Sequence, residues 1–236
     1  MNKIFLFVAI SILIFLNSCI TSVHRLVTYN KIVNETWISG DWEYEGMKII
    51  VEPLLTSQLV RTGKKEGKKI FDGINKNDSV LFAKSYIFRY EKGFGQYDMM
   101  ASFISLNNQL FLDISSLNID SVGKPSSFSG FSGGTGAGEW VTTHTFAKAT
   151  FKNTGSLELQ FLDGGFISGQ IKKGQAAVKH EKDDLFNTMV ITASSEELQQ
   201  FLTKYGNNER LYNKENTVIL KKLQSWPITL TGTTNR

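Results

Sequence analysis

The sequence predicts a mainly β protein of about eight to ten antiparallel strands with one late α-helix, closed as a barrel or stacked as a sandwich. Three observations carry that expectation. Short runs of branched and aromatic residues alternate with polar ones between turn signals, the pattern of half-buried strands. Only one segment joins helical spacing to a capping signal. The composition, 41% hydrophobic and 20% charged, suits a globular core and excludes disordered, collagen-like and coiled-coil chains. Of the 236 residues one is Cys, which rules out an internal disulfide or a thiolate zinc site. A formal charge of +4 and a pI near 9.0 are too mild for a nucleic-acid binder.

The chain opens MNKIFLFVAISILIFLNSC. Lys3 supplies a positive start, and residues 4–16 are apolar apart from Ser11. At 1.5 Å per residue they cover about 20 Å, short of the roughly 30 Å of a bilayer core. A secretory signal core fits better than a spanning helix. Leu16-Asn17-Ser18-Cys19 resembles a bacterial lipobox. The resemblance implies that residues 1–18 are a lipoprotein signal peptide cut between Ser18 and Cys19. It further implies that Cys19 carries a thioether-linked diacylglyceryl group and that its new amine is acylated, palmitate being a typical chain. Membrane lipid would then be the first partner, and the protein would sit lipid-anchored in the bacterial cell envelope, at the outer membrane. Two acyl chains at ~0.8 kcal/mol per buried methylene already anchor stably.

Residues 19–39 read as the lipidated Cys and a tether, 40–224 as the β-barrel domain, and 225–236 as a C-terminal tail. Within the domain, 47–51 is a short apolar strand and 80–90 a strand in which Tyr86, Phe88 and Tyr90 alternate against Ile87 and Arg89. Residues 99–114 spell a hairpin turning at Asn107-Asn108, since Asn tolerates positive φ. In its return strand Leu110, Leu112 and Ile114 share one face. The Gly-rich stretch 121–138 reads as a long loop. Strands resume at 140–151 and 156–162, separated by Asn153-Thr154-Gly155, with shorter candidates at 165–171, 176–180 and 188–193. Ser194 to Glu197 form a capping box, Leu198, Phe201, Leu202 and Tyr205 follow at helical spacing, and Gly206 is placed to end the helix. Residues 216–223 are the last strand.

Gly40-Asp41-Trp42, opening the first strand, resembles the G-x-W signature of the lipocalins and related calycins. With the lipobox, a run of antiparallel strands and a late helix, the chain is similar to lipocalin-like envelope lipoproteins over most of its mature length. The resemblance implies a lipocalin-like barrel in which Gly40 and Trp42 plug the closed end. Where lipocalins set a late Arg against the Trp, this chain offers Lys221 or Lys222, and its helix precedes the final strand.

Several patterns touch on catalysis. Gly130-Phe131-Ser132-Gly133-Gly134 matches the G-x-S-x-G elbow in letters, but no helix signal follows to hold a strained Ser. His180-Glu181 begins like HExxH, yet Asp184 stands where the second His belongs. Residues 179–184 therefore read as a solvated charged loop. His144 reads as a hydrogen-bonded strand histidine, and Asp113, Glu158 and Asp163 lie in or beside strands. The run Lys64-Lys65-Glu66-Gly67-Lys68-Lys69 reads as a hairpin tip. Trp37, Trp42, Trp140 and Trp226 read as core. No catalytic set, metal site or cofactor is expected. The sequence thus points to a non-enzymatic envelope lipoprotein that encloses a small apolar ligand. The alternative is a filled barrel contacting another envelope protein, and a hydrolase ranks third.

Overall fold

In the computed structural model, which describes residues 20–58, 60–61, 76–92, 95–116, 143–152, 155–183 and 188–223, the alternating segments become strands. They are β1 (Thr21–Ser22), β2 (Ile32–Val33), β3 (Gly40–Tyr44), β4 (Met47–Pro53), β5 (Tyr86–Lys92), β6 (Gly95–Leu106), β7 (Gln109–Ser116), β8 (His144–Lys152), β9 (Ser156–Leu162), β10 (His180–Asp183), β11 (Thr188–Ile191) and β12 (Tyr212–Lys222). The helices are α1 (Lys76–Ala83), α2 (Gly164–Lys172) and α3 (Ser195–Tyr205).

Strands β3 to β9 pair each with the next in antiparallel order, and β12 pairs with both β9 and β3. The result is a closed eight-stranded antiparallel barrel, the architecture that leaves no sheet edge within the ring. Pleat parity then sorts the side chains. Trp42, Val51, Tyr86, Phe88, Phe103, Leu112, Leu157 and Leu220 turn inward and form the barrel core. The expected alternation holds: Tyr86 and Phe88 point in, as do Leu110, Leu112 and Ile114. The hairpin pairs Leu106 with Gln109, and Asn107 and Asn108 adopt φ of 50° and 60°, as a two-residue primed turn requires.

A second core lies outside the barrel. Ile104, Phe111 and Phe146 turn outward from β6, β7 and β8 and pack against Leu198, Phe201 and Leu202 of α3. The capping box is formed, with Ser194 Oγ accepting from Glu197 N at 3.3 Å and Glu197 accepting from Ser194 N at 2.8 Å. Gly206 ends α3, as expected, without a left-handed turn. Its φ is −58°, and a Cβ there would stand 2.5 Å from the Leu202 carbonyl and 3.0 Å from the Phe111 ring.

Other segments depart from the sequence reading. Residues 76–83 are helical, so the strand expected over 80–90 begins only at Tyr86. A short apolar run such as Val80-Leu81-Phe82 has no period that tells strand from helix. Residues 165–171, expected as a strand, lie in α2, because Asp163 Oδ1 accepts from Phe166 N at 2.8 Å and caps its start. Residues 176–179 form no strand, and the charged run beginning at His180 is a strand, β10, paired with β11. Where the sequence suggests a tether, residues 20–39 run as a strap along the barrel wall. β1 pairs with His144, β2 pairs with β6, and Leu26, Val27 and Ile38 are fully buried.

Candidate functional site

The two ends of the barrel differ. At one end the strap's 3-10 turn, Thr36–Ile38, closes the ring. Ile38 is buried in the barrel core, and Trp37 packs on Phe151 at 4.3 Å between ring centroids. Trp42 is fully buried and its Nε1 donates to the Ile38 carbonyl at 2.7 Å. Lys222 Nζ lies 5.3 Å from the centre of the Trp42 ring and also donates to the Trp37 carbonyl. Lys222 therefore occupies the place where the resemblance expects an Arg. Gly40 has φ of +128°, a conformation that L side chains avoid. Gly40 and Trp42 lie on β3 at this end of the barrel, with Trp42 in the barrel core.

The opposite end is a mouth. Tyr44, Ile49, Met99, Ile114 and Phe161 pack on the barrel core yet are only partly buried. By parity Tyr90 and Tyr97 also face inward, and their rings stack at 4.9 Å with 15° between planes. Burial raises the Tyr44 and Tyr90 phenols above their ordinary value, with the charge of Glu45 adding to the first and Tyr97 to the second. Both stay neutral at physiological pH and present hydroxyls rather than charge. Below this ring the bulk of Phe88, Phe103, Tyr86 and Leu112 fills the interior. Eight strands leave room either for side chains or for one small ligand. Here side chains fill the interior, and the inward groups left partly uncovered are those at the mouth.

A polar cluster sits on the outer wall. Asp113 alternates with the inward Leu112 and Ile114, so it points away from the barrel, and the strap covers it. Its Oδ1 lies 2.7 Å from His144 Nδ1, while Oδ2 accepts from Leu26 N at 2.7 Å and Val27 N at 3.2 Å. Both side chains are buried, at 4% and 9% exposure. The cavity that they share with Arg25, Ser102 and Ser115 measures about 10 Å³, room for about one water. The hydroxyl of Ser102 is bonded to that of Ser85 at 2.6 Å, and that of Ser22 donates to the His24 carbonyl. What the pair does here is fasten the strap. His144 is the hydrogen-bonded strand histidine that the sequence suggests. Its partner was not legible, because residues 113 and 144 are joined only through the register of β7 on β8. The available signal was that Asp113 and Ser115 interrupt one face of a strand whose other face carries Leu110, Leu112 and Ile114.

Of the remaining candidates, Glu158 pairs with Lys152 at 3.2 Å on the outer wall, and Asp163 is spent as a helix cap. Ser18 and Cys19, the lysine run 64–69, the Gly-rich stretch 121–138 with its G-x-S-x-G letters, Asp184, Trp140, Trp226 and the tail 225–236 all lie outside the described residues. The chain matches no family model, no curated protein and no solved structure. Function must therefore be read from the geometry.

Proposed function

We propose that this chain is a lipid-anchored protein of the bacterial cell envelope whose barrel binds a small apolar ligand at its mouth, without enzymatic activity. The observation that carries the binding reading is the ring of half-buried inward side chains: Tyr44, Ile49, Met99, Ile114 and Phe161. Apolar groups turned toward a barrel axis yet left accessible are what a bound apolar molecule would cover. Among the described residues no helix is long and apolar enough to cross a membrane, and the proposal places attachment on acylated Cys19.

Burying ~300 Å² of ligand surface yields about 7 kcal/mol at 25 cal/mol per Å². Lost translational and rotational freedom removes at least ~4 kcal/mol, which leaves about 3 kcal/mol and places the affinity from that area alone in the millimolar range or weaker. Titration of delipidated protein with a dansyl-labelled fatty acid should show saturable binding with a negative heat-capacity change. Met99→Glu, which puts a charge among the inward side chains of the mouth, should weaken binding at least about tenfold, while the outward Lys48→Glu leaves it unchanged. Absence of binding, or indifference to Met99→Glu, would leave the filled-barrel accessory protein as the better reading. Anchoring is checked separately: Cys19→Ser should abolish incorporation of labelled palmitate.

A further inference from the structure

The strap fixes where the lipid leaves the fold. We infer that the mouth end of the barrel faces the bilayer surface, with the ring of Tyr44, Tyr90 and Tyr97 directed toward it. This rests on the reading of Cys19 as the acylated residue.

The geometry is covalent at one end and hydrogen-bonded at the other. Ser22 pairs with His144, the first residue of β8, and Thr21 pairs with Val190 of β11. Cys19 precedes Thr21 by two residues in the sequence, and two peptide units reach at most about 8 Å. Ile20 between them is 4% exposed and packed in the outer core. Downstream, Asp113 holds the amides of Leu26 and Val27. The anchor therefore has no slack. From His144 to Lys152, the other end of β8, is about 26 Å at roughly 3.3 Å per residue. One residue of chain cannot carry the acyl chains over that distance.

The surfaces near the anchor differ in chemistry. β10 presents the exposed charges of Glu181 and Lys182, and α3 presents Glu196, Gln200, Thr203 and Lys204. Neither suits contact with acyl chains. The mouth carries apolar and tyrosine side chains, with Glu45 and Lys48 exposed at the β3–β4 turn, and tyrosine favours a boundary that is apolar on one side and wet on the other. The closed end also exposes apolar groups, Phe151 and Leu223, beside Lys152, Lys221 and Lys222. It lies a barrel length from the anchor.

The test uses the full lipidated chain in vesicles of phosphatidylethanolamine and phosphatidylglycerol. Acylation occupies the native thiol, so a single introduced Cys takes a spin label. Lys48→Cys labels the mouth beside the β3–β4 turn, and Lys152→Cys labels the closed end. Collision with lipid-soluble oxygen relative to a water-soluble nickel chelate should be at least threefold higher for the Lys48→Cys label, and that excess should vanish when Cys19→Ser is added. Equal ratios, or a higher ratio at Lys152→Cys, overturn the orientation and leave the anchor standing. Mass spectrometry of the same sample separates the two ideas: absence of acyl chains on Cys19 overturns the anchor and the orientation together.

Discussion

Replacing Asp113 with Ala should release the strap while sparing the barrel. The carboxylate accepts from Leu26 N at 2.7 Å, from Val27 N at 3.2 Å and, through Oδ1, approaches His144 Nδ1 at 2.7 Å. A hydrogen bond to a charged acceptor contributes about 1.5–3 kcal/mol, and a buried donor left without one costs about 1–3 kcal/mol. Three such contacts do not add, because the strap can lift and let water reach the orphaned amides. A total loss of about 3–5 kcal/mol follows, the range seen when one partner of a buried polar set is removed. Chemical denaturation gives the total, and native-state hydrogen exchange locates it. The amides of Leu26 and Val27 should lose protection in Asp113→Ala by far more than those of Leu112 and Ala147 in the barrel wall. Combining Asp113→Ala with His144→Ala should cost less than the two single losses summed, since the pair shares one contact. A midpoint shift below about 1 kcal/mol, or strap amides that exchange as in the parent, would refute the clamp.

Trp42→Ala should lower stability by about 3–5 kcal/mol, the cost of emptying a fully buried aromatic site, whereas Lys222→Met should cost about 1 kcal/mol or less, the worth of an exposed cation over a ring. Similar losses from both, measured by urea midpoint, would mean that Trp42 does not plug the barrel. The Lys179 ammonium and the Ser194 amide hold the Glu197 carboxyl below its ordinary value. A depressed acid stabilises the fold above its unfolded pKa, and that contribution fades as pH falls from about 4.5 through the lowered value. Glu197→Gln should therefore flatten the acid limb of the thermal midpoint against pH, and an unchanged limb would exclude the contribution.

Much of the barrel was legible because its signals are local. The Asn107-Asn108 turn, the alternation of Leu110, Leu112 and Ile114, and the capping box at Ser194 each depend on residues a few positions apart. The departures share a cause. Val80-Leu81-Phe82 and residues 165–171 are short apolar runs without a decisive period, and their state is set by neighbours such as the Asp163 cap. The strap was hidden more deeply. Nothing between Ile20 and Ser39 alternates over a useful length, and its order comes from distant groups: Asp113, His144, and the outer faces of β6 and β8. The mouth was half visible. Its aromatic residues stand in the strands, but which of them are covered depends on how far the neighbouring strands extend.

Closure of the ring joins residues at the two extremes of the folded chain. Lys222 pairs with Trp42 and donates to the carbonyl of Trp37, 185 residues earlier. A chain delivered from its N-terminus can zip β3 through β9 as they appear, yet the sheet stays open until β12 arrives behind the long segment 163–211. Until then β3 and β9 offer bare edges, the feature that draws one chain onto another. Contacts of such long sequence separation also form slowly. A protein clipped before β12, at Tyr212, would therefore be no smaller barrel. It would be a curled sheet with two open sides, prone to pair with its own kind.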